Sequence, residues 1–123
     1  MATTALTAST LERAVQAGGI VFVDFWASWC GPCRMFAPVF EQASDKYPDI
    51  VFGKVDTEAE QELAAAAGIR SIPTLMAFRD GVLVFSQPGA LPAPSLEQLI
   101  TAVQALDMDE VATSATGTAT AAK

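Results

Sequence analysis

The two cysteines of this 123-residue chain stand three apart, in the stretch Trp29-Cys30-Gly31-Pro32-Cys33, and no other feature constrains the fold as much. A C-x-x-C pair is ambiguous by itself: it serves as half of a zinc site, as a haem anchor or as a redox pair. Zinc needs four ligands, usually Cys or His, and the chain has no His and no third Cys. A Cys/His site within one chain is thereby excluded. Haem attachment needs a His after the second Cys, where Arg34 stands. What remains is a dithiol able to cycle with a disulfide.

The flanks say where that dithiol sits. Ile20 to Trp26 is an almost unbroken apolar run rich in β-branched and aromatic residues, which reads as a strand covered on both faces at the centre of an α/β sheet. After the motif, Phe36, Val39, Phe40, Ala43 and Tyr47 recur at helical spacing and predict a helix over about 32–48. Pro32 suits its first turn, where the missing N–H is not needed. Pro38 should kink it, and Pro48 should stop it. Cys30 is then placed at a helix N-terminus just beyond the C-terminal end of a central strand, where open α/β sheets hold their sites. Cys33 follows one turn later on the same face.

Trp-Cys-Gly-Pro-Cys after an Asp-bearing strand resembles the thioredoxin family over roughly residues 4–106. Asp24 ahead of the motif, Pro38, Lys54 in the next strand, Ser71-Ile72-Pro73-Thr74 and Gly89 fall in family order. The resemblance implies a thioredoxin fold, an α/β arrangement with a mixed central sheet flanked by helices on both faces. It also implies a general protein-disulfide reductase working through a reversible Cys30–Cys33 disulfide. Re-reduction would come from an NADPH-dependent flavoprotein, thioredoxin reductase, with no cofactor on this chain. Two departures from the family pattern are Pro88 before Gly89, and Arg34 where lysine is usual.

Physical chemistry assigns the roles. The thiolate attacks, and a free thiol with pKa ~8.5 is only about 3% ionised at pH 7. The positive end of a helix favours the ionised form, so Cys30 is the expected nucleophile and Cys33, more buried, the resolving thiol. Asp24 is costly to ionise inside an apolar strand, so desolvation should raise its pKa toward neutrality. That suits a proton acceptor for Cys33; the alternative is that Asp24 merely binds nearby backbone or Lys54. By resemblance, Lys54 lies near Asp24 and modulates its titration. Pro73 is expected to be cis on the same ground, beside Cys30, exposing the Ile72 backbone to an extended substrate segment. Trp29, Gly31, Ile72, Gly89 and Ala90, with Pro32, would form a flat apolar rim for protein substrates, and Trp26 would pack beneath it.

The rest of the chain completes one domain over 1–111. Residues 3–8 read as an edge strand, and 50–56 as a strand parallel to the central one. Three sequences have capping-box form and should open helices: Ser9-Thr10-Leu11-Glu12, Thr57-Glu58-Ala59-Glu60 and Ser95-Leu96-Glu97-Gln98. Asp80-Gly81 between the apolar runs 74–78 and 82–86 signals an antiparallel hairpin. Residues 112–122 contain only Ala, Thr, Ser and Gly, so 112–123 read as a disordered tail.

Formal net charge is −7 and the pI near 4.3, which argues against nucleic acid and anionic membrane surfaces as partners. No apolar run approaches the ~20 residues needed to span a bilayer, and the first ten residues lack the charge and apolar core of a secretory signal. A monomeric cytoplasmic protein is expected. Two rival readings stay open: a binding module in which the cysteine pair is dispensable, and a metal centre bridging two chains through paired thiolates.

Overall fold

The computed structural model describes residues 2–111; the expected tail, 112–123, lies outside the described residues. Five strands form one mixed sheet: β1 (Thr3–Ala5), β2 (Ile20–Trp26), β3 (Val51–Asp56), β4 (Thr74–Arg79) and β5 (Val82–Pro88). Their order is β1-β3-β2-β4-β5. β1, β3 and β2 run parallel, whereas β4 is antiparallel to β2 and β5 to β4. Four helices cover the sheet: α1 (Ala8–Gln16), α2 (Gly31–Lys46), α3 (Gln61–Ala66) and α4 (Ala93–Gln104).

β2 is the central strand its apolar run predicts, with Val21 to Phe25 all buried. The pleat divides its side chains between two cores. Phe22 packs with Phe52, Leu75, Phe36 and Phe40 of α2 and Ile100 of α4. Val21, Val23 and Phe25 join Leu11 of α1 and Val55, with Leu63 of α3 at the margin. Phe22 stacks on Phe52 with ring centroids 5.7 Å apart, and Phe40 meets Phe52 edge-on at 5.3 Å. These rings seat α2 on the sheet and fix where its first residue falls. α2 runs through Pro38 without ending; Tyr47, restricted by Pro48 behind it, leaves helical geometry at φ −125° and ψ 73°.

The three helix starts differ from expectation, each for a visible reason. α1 begins at Ala8 with Thr7 as cap: the Thr10 hydroxyl accepts from Thr7 N–H at 2.7 Å, and Thr7 Oγ1 accepts from Thr10 N–H at 3.3 Å. Leu6 and Leu11 flank this box and share one core, a hydrophobic staple that sets the frame two residues ahead of Ser9. It also ends β1 at Ala5. α3 begins at Gln61 rather than after Thr57, because Thr57 commits both N–H and hydroxyl to the Trp26 carbonyl at 2.9 and 3.0 Å. Asp56 Oδ1 takes the Glu58 and Ala59 N–H groups instead. α4 begins at Ala93, with Pro92 as cap and Pro94 in a first turn that needs no N–H from it. Ser95 is therefore inside the helix. Glu97 accepts from Tyr47 Oη at 2.7 Å and from Lys46 Nζ at 3.0 Å, tying α4 to the end of α2.

The hairpin turns where Asp80-Gly81 predicts, both residues having positive φ (52° and 85°), as a type I′ turn requires. Arg79, just before it, reaches across to α4. Its Nη1 donates to the carbonyls of Val103, Gln104 and Leu106 at 2.8–3.0 Å, capping a helix end with no basic residue of its own. Among the described residues, no helix is long and apolar enough to cross a membrane.

Candidate active site

Cys30 is the N-cap of α2. Its backbone is extended (φ −87°, ψ 114°), and its sulfur accepts the Cys33 N–H at 3.2 Å, one of the donors a helix start leaves without a carbonyl. Cys30 and Cys33 are joined as a disulfide with Cα atoms 5.2 Å apart. A cap followed by one helical turn brings the second sulfur to the first, and Pro32 occupies the turn between them. Expectation made Cys33 the more buried thiol. In the bonded pair the two are shielded almost alike, at 2% and 4% exposure.

The pair packs with Ala27, and Trp26 and Ile72 lie against it. Trp26 is thus beneath the site as expected. Cys30 Sγ is 3.7 Å from the Ile72 carbonyl oxygen. The Ile72–Pro73 bond is cis, as the resemblance implied, and the Pro73 carbonyl accepts the Gly89 N–H at 2.7 Å. Gly89 has φ 108°, a conformation other residues rarely adopt, so the loop after β5 can close on Pro73. Around this centre Pro32, Gly89 and Ala90 are exposed, and Gly31 and Ile72 half-buried. Trp29 is 65% exposed, its indole N–H donating to Glu58 at 3.0 Å. Arg34, the departure noted after the motif, donates from Nη1 to the Ser28 carbonyl at 3.0 Å and braces the loop ahead of Cys30.

Asp24 lies on the α2 side of β2, the face that Phe22 shares, and is 1% exposed. Neither of its oxygens has a hydrogen-bond partner among the described residues. Burial pushes its carboxyl from 3.8 up to about 7, with the Lys54 ammonium pulling it down and Glu41 adding to the rise. Lys54 is its register partner on β3. Even so, the ammonium pairs with Glu41 of α2 at 3.9 Å and stands 5.1 Å above the Trp26 ring. The alternative role for Asp24, a bond to backbone or to Lys54, is not what the geometry shows. Glu41, Glu58 and Thr3 were not singled out from sequence. Thr3 Oγ1 donates to Glu41 at 2.9 Å.

A thioredoxin family model matches residues 2–102. The chain belongs to the thioredoxin family. It is 55% identical over 109 residues to a Streptomyces coelicolor protein named "Putative thioredoxin 2", covering 89% of this chain and 81% of that one. It is 48% identical over 94 residues to thioredoxin 1 of Synechococcus elongatus, covering 75% and 88%. Among solved structures, a mutant thioredoxin from Halobacterium salinarum superposes with a TM-score of 0.78 at 33% identity, over 85% of this chain and 92% of that one. As a member of this family, the chain is a protein-disulfide oxidoreductase acting by thiol–disulfide exchange through Cys30 and Cys33, and a thioredoxin reductase returns the pair to the dithiol.

Proposed function

We propose a division of labour for this exchange. The Cys30 thiolate attacks one sulfur of a substrate disulfide; that S–S bond breaks, a mixed disulfide forms, and the departing substrate sulfur takes up a proton. Cys33 gives its proton to Asp24 and attacks Cys30 Sγ. Substrate leaves reduced, and the Cys30–Cys33 bond holds the two electrons' worth of oxidation until the reductase removes it. The observation that carries this reading is the Cys33 N–H directed at Cys30 Sγ from the start of α2. It supports negative charge on that sulfur once the disulfide opens.

Asp24 suits the proton step because a carboxyl with a pKa of about 7 is part-protonated near neutrality and serves in both directions. Lys54, close by on β3, tunes it. Trp29, Gly31, Pro32, Ile72 and Gly89 make the surface on which an extended substrate segment lies, and Pro73, itself buried, sets the Ile72 backbone beside Cys30. Few long side chains crowd that surface, which favours many partners over one. The reductase is an NADPH-dependent flavoprotein, and the protein works as a monomer in the cytoplasm, a reducing compartment that keeps such pairs transient and catalytic.

Turnover of a generic protein disulfide with NADPH and a thioredoxin reductase tests the scheme. Cys30→Ser should lose all detectable turnover. Cys33→Ser should retain the first attack and accumulate a mixed disulfide through Cys30, visible as a shifted band on a non-reducing gel. A Cys33→Ser protein that turns over normally, or traps nothing, would refute the assignment of the two sulfurs.

A further inference from the structure

We propose that Glu41 is a positioning residue for the site: anchored by Thr3, it draws the Lys54 ammonium toward α2 and leaves the Asp24 carboxyl without an ionic partner. The inference rests on the reading above for its meaning in catalysis, and on geometry for its existence.

Register makes Asp24 and Lys54 neighbours on adjacent strands, a buried acid opposite a cation. Left to themselves, such a pair closes into a salt bridge, and the carboxyl then ionises readily. It does not close here. Lys54 Nζ sits 3.9 Å from Glu41 Oε2, with 19% and 23% of the two side chains exposed, and its remaining approach is to the Trp26 face. Glu41 in turn is held: Thr3 Oγ1 stands 2.9 and 3.0 Å from its two oxygens. Beside it, the Ala2 N–H donates to Ser44 Oγ of α2 at 3.1 Å, so the start of β1 is clipped to α2 at two points. With the lysine drawn toward that clip, its ion pair is with Glu41, and both Asp24 oxygens stand without a hydrogen-bond partner among the described residues.

The charges acting on Asp24 from its surroundings are few. β3 supplies Lys54 and α2 supplies Glu41, of opposite sign and opposite effect. In the scheme proposed above, the Cys33 thiol joins them once the disulfide opens. Leu75, opposite on β4, is apolar, and Asp56 further along β3 is engaged with the Glu58 and Ala59 N–H groups. Glu41 therefore acts in two ways, by its own charge and by where it keeps the lysine. Only the second is positioning.

Carboxyl carbon NMR on the full-length oxidised protein reads the Asp24 titration directly, with Asp24→Asn assigning the signal and no turnover required. Glu41→Gln should lower the Asp24 midpoint by about one pH unit, as Lys54 is released toward it. Glu41→Asp, which keeps the charge, should recover most of the difference. In a Lys54→Met background, Glu41→Gln should move the midpoint by less than about half as much, the non-additivity expected of residues acting through one another. A midpoint within about 0.2 pH unit of the parent, or an equal change with and without Lys54, overturns the proposal. The pH profile of mixed-disulfide resolution then separates the two readings. If it follows the titration in Glu41→Gln, both stand. If the titration moves and the profile does not, Glu41 still governs the charge of Asp24, and Asp24 loses its place as the proton acceptor.

Discussion

Phe22 and Asp24 occupy the same face of one strand, two residues apart, and both are almost wholly buried. Around Phe22 burial is resolved by contact: Phe52 of β3 stacks on it, and Phe36 and Phe40 of α2 share its core. Around Asp24 it is left unresolved: among the described residues its carboxyl meets neither a hydrogen-bond donor nor a directly paired cation. The first arrangement gains stability at every pH. The second surrenders it wherever the acid is ionised in the unfolded chain. The molecule thus gives up free energy at a buried acid to which the proposed exchange gives a proton to carry, and recovers it two residues away on the same face.

The contrast can be broken at several points. The largest effect should come from Phe40→Ala, which removes a ring packed on both Phe36 and Phe52. A loss of about 3–5 kcal/mol by urea unfolding is expected, equal at acid and neutral pH because no titrating group is touched. Asp24→Asn should act with the opposite sign. The folded protein holds the Asp24 proton until about pH 7, whereas the unfolded chain releases it near 3.8. Between those values the unfolded state binds fewer protons, so stability falls as pH rises and the loss is complete above about 7. The gap of roughly three pH units between the two values sets a ceiling of about 4 kcal/mol. An unpaired buried amide takes part of it back, leaving a gain of about 2 kcal/mol. Urea unfolding at about pH 4 and about pH 8 checks this: the gain should appear only at the higher value, and a gain that ignores pH would dissolve the contrast.

A smaller effect should follow at Arg79, the polar counterexample. It too lies in the sheet, yet three carbonyls of α4 and the segment after it receive its guanidinium. Arg79→Ala should cost about 1 kcal/mol by the same measurement, with fraying of the α4 end visible as faster amide exchange around Thr101 to Leu106. It should leave turnover unchanged.

How far these regions were legible in the chain follows the same division. The limits of β2 read directly, because an apolar run buried on both faces depends on nothing distant. Asp80-Gly81 read directly too, since its turn is a local matter of φ. The helix starts did not. Thr57 is a local capping residue by pattern, but its N–H and hydroxyl found a partner far along the chain, the Trp26 carbonyl, that a window of four residues does not contain. At the site, the cysteines, Asp24 and Pro73 stood out by type and order. Glu41 did not: on α2 it looks like any solvent-facing acid, and only the placement of β1 beside β3 brings Thr3 and Lys54 to it.

The capping role of Cys30 has a practical corollary. Serine is among the residues that helix starts favour, because its oxygen takes the same N–H that the sulfur takes here. A Ser in that place should keep α2 intact, so the inert protein would be a faithful decoy: folded, recognisable to its clients, and chemically mute.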